Sequence, residues 1–299
     1  MNGPCDFRVT LLGTGVPTPR PDRFGPSTLI EASDQKLLID AGRGAAIRLY
    51  QAGVPIGSID ALLLTHFHSD HTVGIPDIWL TGWLQSHFGT RSKPFRVIGP
   101  PGTKTLMSHL ELAYAADIRI RIEDEKLPAE GAVVAVEEFG GDGVVYEKGD
   151  LRVIAFEVDH GDVIKPAYGY RIEHRDRSVV ISGDTRFNAN VIRHGTGADL
   201  LIHEVAIVRP ELAHEPFIQR IMAHHTTARE AGIVFARAKP GMAAFTHLVF
   251  LASETVPPAS IDDLMAHTRE TYDGPLQVGE DLMSFEIGET VNVRRVLKR

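Results

Sequence analysis

The 299-residue chain has a single cysteine, Cys5, which excludes an internal disulfide and fits a reducing, cytoplasmic setting. No apolar run approaches the roughly twenty residues that a membrane-spanning helix needs. No Pro/Ser-rich linker or low-complexity tract divides the sequence, so one large domain, 1–299, is expected. The first residues, Met1-Asn2-Gly3-Pro4-Cys5-Asp6-Phe7, carry neither a basic head nor an apolar stretch, and no signal peptide is expected. Basic residues are outnumbered, 31 against 39 acidic ones, for a formal net charge of −8. The one basic cluster is the terminal Arg294-Arg295-Val296-Leu297-Lys298-Arg299. That balance disfavours wrapping a nucleic-acid backbone, although metal ions in a pocket can supply local positive charge.

Against this plain background one stretch stands out. The apolar run Ala61-Leu62-Leu63-Leu64 is followed by Thr65-His66-Phe67-His68-Ser69-Asp70-His71, four metal-type ligands within six residues. His66 and His68 are two apart, so in an extended segment their imidazoles point the same way and can share one ion. Asp70 and His71 follow at a bend and can turn toward a neighbouring second ion. Imidazole and carboxylate without thiolate suit zinc, with iron or manganese as options, in a catalytic rather than structural site.

The His-x-His-x-Asp-His pattern resembles that of the metallo-β-lactamase superfamily, which implies a four-layer αββα sandwich of the α/β class. The family draws further ligands from downstream strand ends, and matching residues occur in the family's order. Val153 to Val158 alternates like a strand and leads to Asp159-His160. Ser178 to Ile181 leads to Ser182-Gly183-Asp184, and Gly241 to Phe245 leads to Thr246-His247. By this resemblance a first metal takes His66, His68 and His160, a second takes Asp70, His71 and His247, and Asp184 bridges both. The stretch Leu38-Ile39-Asp40-Ala41-Gly42-Arg43-Gly44 matches a family turn whose aspartate buttresses the ligand loops. A helix-leading aspartate with turn glycines explains the same residues, and Asp40 is read as structural.

Two further stretches resemble the ribonuclease Z branch: Asp199 to Ala206, a buried strand ending in His203-Glu204, and His225-Thr226-Thr227-Ala228-Arg229-Glu230. Thr227 with Glu230 forms a capping box that starts a helix, which leaves His225 in the preceding loop and out of the core. The resemblance implies that Glu204 orients His225 and that His225 assists proton movement at a scissile phosphate. His203 and His224 are alternative working neighbours. The common bacterial ribonuclease Z carries a tRNA-gripping arm between the third histidine and the bridging aspartate. Here His160 and Asp184 are only 24 residues apart, which leaves no room for one.

The coarse element reading places strands at Phe7–Leu12, Thr28–Glu31, Lys36–Ile39, Phe95–Ile98, Arg119–Ile122, Val133–Glu137 and Val144–Glu147. It places helices at Arg43–Ala52, from Ile75 through Trp83, Thr103–Tyr114, Thr227–Ala238 and Ile261–Tyr272. Trp79 and Trp83 share one helical face as core or dimer contacts, with the substrate pocket as the other option.

The resemblance thus implies a hydrolase with two zinc ions per chain that uses a hydroxide bridging the metals, with Asp70 orienting it and His225 aiding departure of the leaving oxygen. Small phosphodiesters or related small-molecule esters are the expected substrates. Competing readings are a tRNA 3′ endonuclease, lactone, sulfate-ester or β-lactam hydrolysis, an iron enzyme of the same fold, and a non-catalytic binding module. A homodimer without membrane contact is expected. The pocket walls are expected among the Pro17–Phe24 loop, the segment after His71 and the stretch Ile207–Ala223.

Overall fold

In the computed structural model, which describes residues 6–295, strands form at β1 (Phe7–Gly13), β2 (Ser27–Ala32), β3 (Gln35–Ile39), β4 (Ala61–Leu63), β5 (Phe95–Gly99), β6 (Val134–Glu138), β7 (Gly143–Lys148), β8 (Leu151–Glu157), β9 (Tyr168–His174), β10 (Arg177–Ile181), β11 (Leu200–Ile207), β12 (Met242–Phe250), β13 (Leu276–Val278), β14 (Met283–Ile287) and β15 (Val291–Arg295). Cys5, the residues before it and residues 296–299 of the basic end lie outside the described residues. The helices are α1 (Ala45–Gln51), α2 (Ser69–Thr72), α3 (Ile75–Trp83), α4 (Thr103–Ala113), α5 (Ala115–Glu123), α6 (Ala189–Gly195), α7 (Pro216–Met222), α8 (Ala228–Ala238) and α9 (Ile261–Arg269). No helix is long and apolar enough to cross a membrane.

The strands build two sheets, ordered β15-β14-β1-β2-β3-β4-β5-β6 and β13-β12-β11-β10-β9-β8-β7. Period-two alternation explains how they stack. Val9, Leu37, Ile39 and Leu63 point into the core between the sheets and meet Val153, Ile172, Val179 and Ile202 from the other side. The intervening Leu38, Leu62 and Leu64 pack outward against α1, α3 and α4, and Val180, Leu201 and Val205 pack against α6, α8 and α9. Apolar side chains on both faces of the central strands therefore force helices onto both outer surfaces, which gives the αββα sandwich.

The runs β3-β4-β5-β6 and β10-β11-β12-β13 are parallel, so their carboxyl ends gather along one edge of the sandwich. Ligand sites in α/β sheets collect at such edges.

One expected element differs in kind: Arg119–Ile122 lies within α5 and is not a strand. The alternation of Ile118, Ile120 and Ile122 with arginines mimics a strand, but Ile118 and Ile122 are one helical turn apart and pack together, while Ile120 is exposed. Arg121 also bonds Asp117 and pairs with Glu125, one turn away on either side. Trp79 and Trp83 are core residues, buried with their indole N–H groups donating to the carbonyls of Ala132 and Pro128 at 3.0 and 2.9 Å.

A buried ion pair fixes the loop after β1. Asp281 Oδ2 accepts from Arg48 Nη2 at 2.8 Å and from the Phe24 amide at 2.7 Å, while its other oxygen accepts from Thr14. Asp281→Ala would leave the Arg48 charge buried and unpaired, so the urea unfolding midpoint should fall by the equivalent of about 3–5 kcal/mol. An unchanged midpoint would show that the pair holds nothing.

Candidate metal centre

The residues that the sequence singles out come together at the shared carboxyl edge. The segment from β4 carries His66 and His68, and α2 turns Asp70 and His71 back over it. His160 follows β8, and Asp184 follows β10 after Gly183, whose φ of 61° favours glycine and where a Cβ would collide with the Tyr168 carbonyl. His247 departs from expectation, because β12 does not end there but runs on to Phe250. In the pairing of β11 with β12, Glu204 faces Thr246 and Val205 faces Leu248, so His247 is the extra residue of a bulge with φ 44°. The bulge re-aims its ring toward the site. β11 likewise continues past Glu204 to Ile207.

Ligand atoms of His66, His68, His160 and Asp184 lie within 4.8 Å of one another, and so do those of Asp70, His71 and His247. Asp184 Oδ2 joins the groups. It is 3.1 and 3.2 Å from Nε2 of His247 and His71, and 3.8 and 3.9 Å from Nε2 of His160 and His66. All seven residues except His68, which is half-buried, are buried.

Outer partners fix how the rings point. His160 Nδ1 donates to the His224 carbonyl at 2.8 Å. His71 Nδ1 is 2.8 Å from Asp40 Oδ2, and His66 Nδ1 is 3.0 Å from the Thr65 hydroxyl, which itself donates to Asp40. Each bond places the proton on Nδ1 and leaves the Nε2 lone pair facing the centre. His66 Nε2 is buried without a hydrogen-bond partner among the described residues, an arrangement that costs free energy unless a cation takes the lone pair. Buried imidazoles and carboxylates without thiolate fit zinc.

The electrostatics divide the ligands. Burial and the neighbouring His71 push His66 well below the ordinary histidine range, and burial lowers His160 to about 4, so both stay neutral as ligands must. Burial opposes the charge on Asp184, but His247 and His71 overcome it and hold the carboxyl well below its usual range. In return, burial lowers His71 but Asp184 and Asp40 outweigh it and raise the ring well above the histidine range, so a cation at its Nε2 has to displace a proton.

Asp40 does more than shape a turn. It binds Thr65 through the amide and the hydroxyl and binds His71 through the ring, so one carboxylate orients ligands of both groups. Gly42 of the same turn packs against the ligand loop, since a Cβ there would fall 2.5 Å from the Asp70 carbonyl. Asp40→Ala should lower zinc affinity by roughly 10–100-fold, measured by competition with a chromophoric chelator. Unchanged affinity would return Asp40 to a purely structural part.

Glu204 is fully buried. Its Oε1 accepts from the amides of Thr185 and Thr226 at 3.2 and 3.0 Å, and its Oε2 lies 3.2 Å from His225 Nδ1. His225 does sit in the loop before α8, but at 7% exposure it is buried, so the loop does not keep it out of the interior as expected. Its ring stacks on His247 at 5.6 Å and lies 5.1 Å from His160. Burial lowers its pKa, and Glu204 reverses the effect and raises it to about 8. His203 faces away, buried against Phe235. The Pro17–Phe24 loop walls a separate cleft of about 440 Å³ with Arg43 and Ile47, and none of the seven clustered residues lines it.

Residues 7–230 match the family described as anti-Pycsar protein Apyc1. A ribonuclease Z from Mycolicibacterium gilvum is 36% identical over 284 residues, covering 94% of this chain and 96% of that protein. Among solved structures, the metallo-β-lactamase fold protein YhfI from Bacillus subtilis superposes with a TM-score of 0.69 at 22% identity, covering 93% of this chain and 98% of its own. The short form of human tRNase Z gives the same TM-score at 20% identity, covering 94% and 99%.

Proposed function

Because the chain belongs to the family of anti-Pycsar protein Apyc1, within the ribonuclease Z-like branch of the metallo-β-lactamase superfamily, and is a metal-dependent hydrolase, we propose that it cleaves small phosphodiesters with two zinc ions per chain. His66, His68 and His160 would hold the first ion, Asp70, His71 and His247 the second, and Asp184 both. Bound there, the ions would supply Lewis acidity and a water whose pKa is brought toward neutrality. Asp70 accepts a hydrogen bond from the attacking water and so aims it. His225, charged by its contact with Glu204, donates its proton to the leaving oxygen. Glu204 is pinned by two backbone amides and cannot swing away, so the imidazole it faces keeps one orientation.

The observation that carries the small substrate is the stretch between His160 and Asp184. It is taken up by β9 and β10, paired from Arg177 with His174 to Ile181 with Tyr170 around a tight turn. No arm for gripping a folded RNA leaves this hairpin. Near full-length similarity to a ribonuclease Z favours a second reading, tRNA 3′ processing.

Elemental analysis of the purified protein and hydrolysis of bis(p-nitrophenyl) phosphate and of a precursor tRNA separate the two. Two zinc ions per chain with chelator-sensitive turnover of the small diester alone supports the proposal. Site-specific tRNA cleavage at comparable kcat/KM would replace it.

A further inference from the structure

His224 precedes the proposed proton donor and has no part in the scheme above. Its amide and that of His225 donate to the carbonyls of Ile221 and Met222, so both imidazoles hang from the last turn of α7. Their rings lie 4.8 Å apart and tilted by 37°, and the His224 ring is 5.0 Å from that of His160. Ring nitrogens of His160, His224 and His225 fall within 4.8 Å of one another. His224 is half-buried, and its Nδ1 is shielded from water with no hydrogen-bond partner among the described residues. Gly161, with φ 106° and no side chain, makes the space for it, since a Cβ there would come within 3.1 Å of the His224 Cβ.

We propose that His224 is a substrate-binding residue that, with His225, forms a two-imidazole clamp on the phosphate group. Two nitrogen donors this close can reach the same oxygen or two oxygens of one phosphate, because each needs to approach only to hydrogen-bonding distance. The roles differ. His225, stacked on His247 and close to His160, stands over the middle of the cluster, where the bond breaks. His224 stands to one side, beside His160, where a non-bridging oxygen of the same phosphate would lie. A contact made equally in ground and transition states strengthens binding and leaves the chemical step alone.

The inference rests on the phosphodiester reading, and the test separates the two. His224→Ala keeps the backbone carbonyl that orients His160, so the metal ligands are undisturbed. In the zinc-loaded enzyme the KM for bis(p-nitrophenyl) phosphate and the Kd for inorganic phosphate by calorimetry should rise roughly 10- to 100-fold, the worth of one hydrogen bond to a charged oxygen. The kcat and the zinc content should hold, and His224→Gln, which keeps a donor, should recover most of the binding. Unchanged phosphate affinity would overturn the clamp, and so would loss of zinc with a collapse in kcat. If the wild type hydrolyses no phosphodiester, the functional reading fails on its own, and the phosphate Kd still decides the clamp.

Discussion

Replacing Asp184 with alanine should abolish turnover and leave fewer than two zinc ions per chain. The Asp184 Oδ2 faces His71 and His247 on one side and His66 and His160 on the other, so one atom reaches both ligand groups. The carboxylate is 3% exposed and charged in spite of burial, so its removal takes away the anion against which four imidazoles are arranged. Neither ion would then be held at the spacing the other ligands set. Metal catalysis of hydrolysis is worth several kcal/mol at the transition state, and each 1.4 kcal/mol is a factor of ten, so a loss of about a thousandfold or more is expected. Elemental analysis after dialysis, run beside the hydrolysis assay, checks both parts. Two retained ions per chain would show that Asp184 does not bridge, whatever the activity.

The cluster was legible in the sequence because its residues sit where strands give out, and the ends of parallel strands share an edge. His66, His68, His160 and Asp184 could be read in that way. His247 was reached through the resemblance, as a residue following a strand that ends at Phe245; the strand runs on to Phe250, and only the pairing with β11 reveals that His247 is the extra residue of a bulge. Asp40 was visible as part of a glycine turn, but its work depends on Thr65 and His71, twenty-five and thirty-one residues on. The misread helix at Arg119–Ile122 has a local cause as well. Three isoleucines alternating with arginines carry a strand period, and the ion pairs of Arg121 one turn either way show only in the fold. Capping was more reliable: Thr227 and Glu230 make both bonds of the box, and α8 starts where they place it.

His225→Ala should cut kcat while both zinc ions stay, and the size of the loss should depend on the leaving group. A general acid contributes roughly 10²–10⁴ when the departing oxygen needs its proton. An alkoxide or a ribose hydroxyl needs it, whereas p-nitrophenolate is stable as an anion. The variant should therefore lose far more on a ribose-linked diester than on bis(p-nitrophenyl) phosphate, a contrast that a merely structural defect would not produce. Glu204→Gln removes the charge but keeps the oxygen that accepts from Thr185 and Thr226, so the loops stay tied while His225 loses its partner at 3.2 Å. It should show the same dependence on the leaving group with a smaller loss. Two residues that act as one proton-delivering unit are non-additive, so the double variant should be no worse than His225→Ala alone. Independent, additive losses would mean that Glu204 shapes the loops of Thr185 and Thr226 for another purpose, and loss of zinc in His225→Ala would make the histidine a ligand in place of an acid.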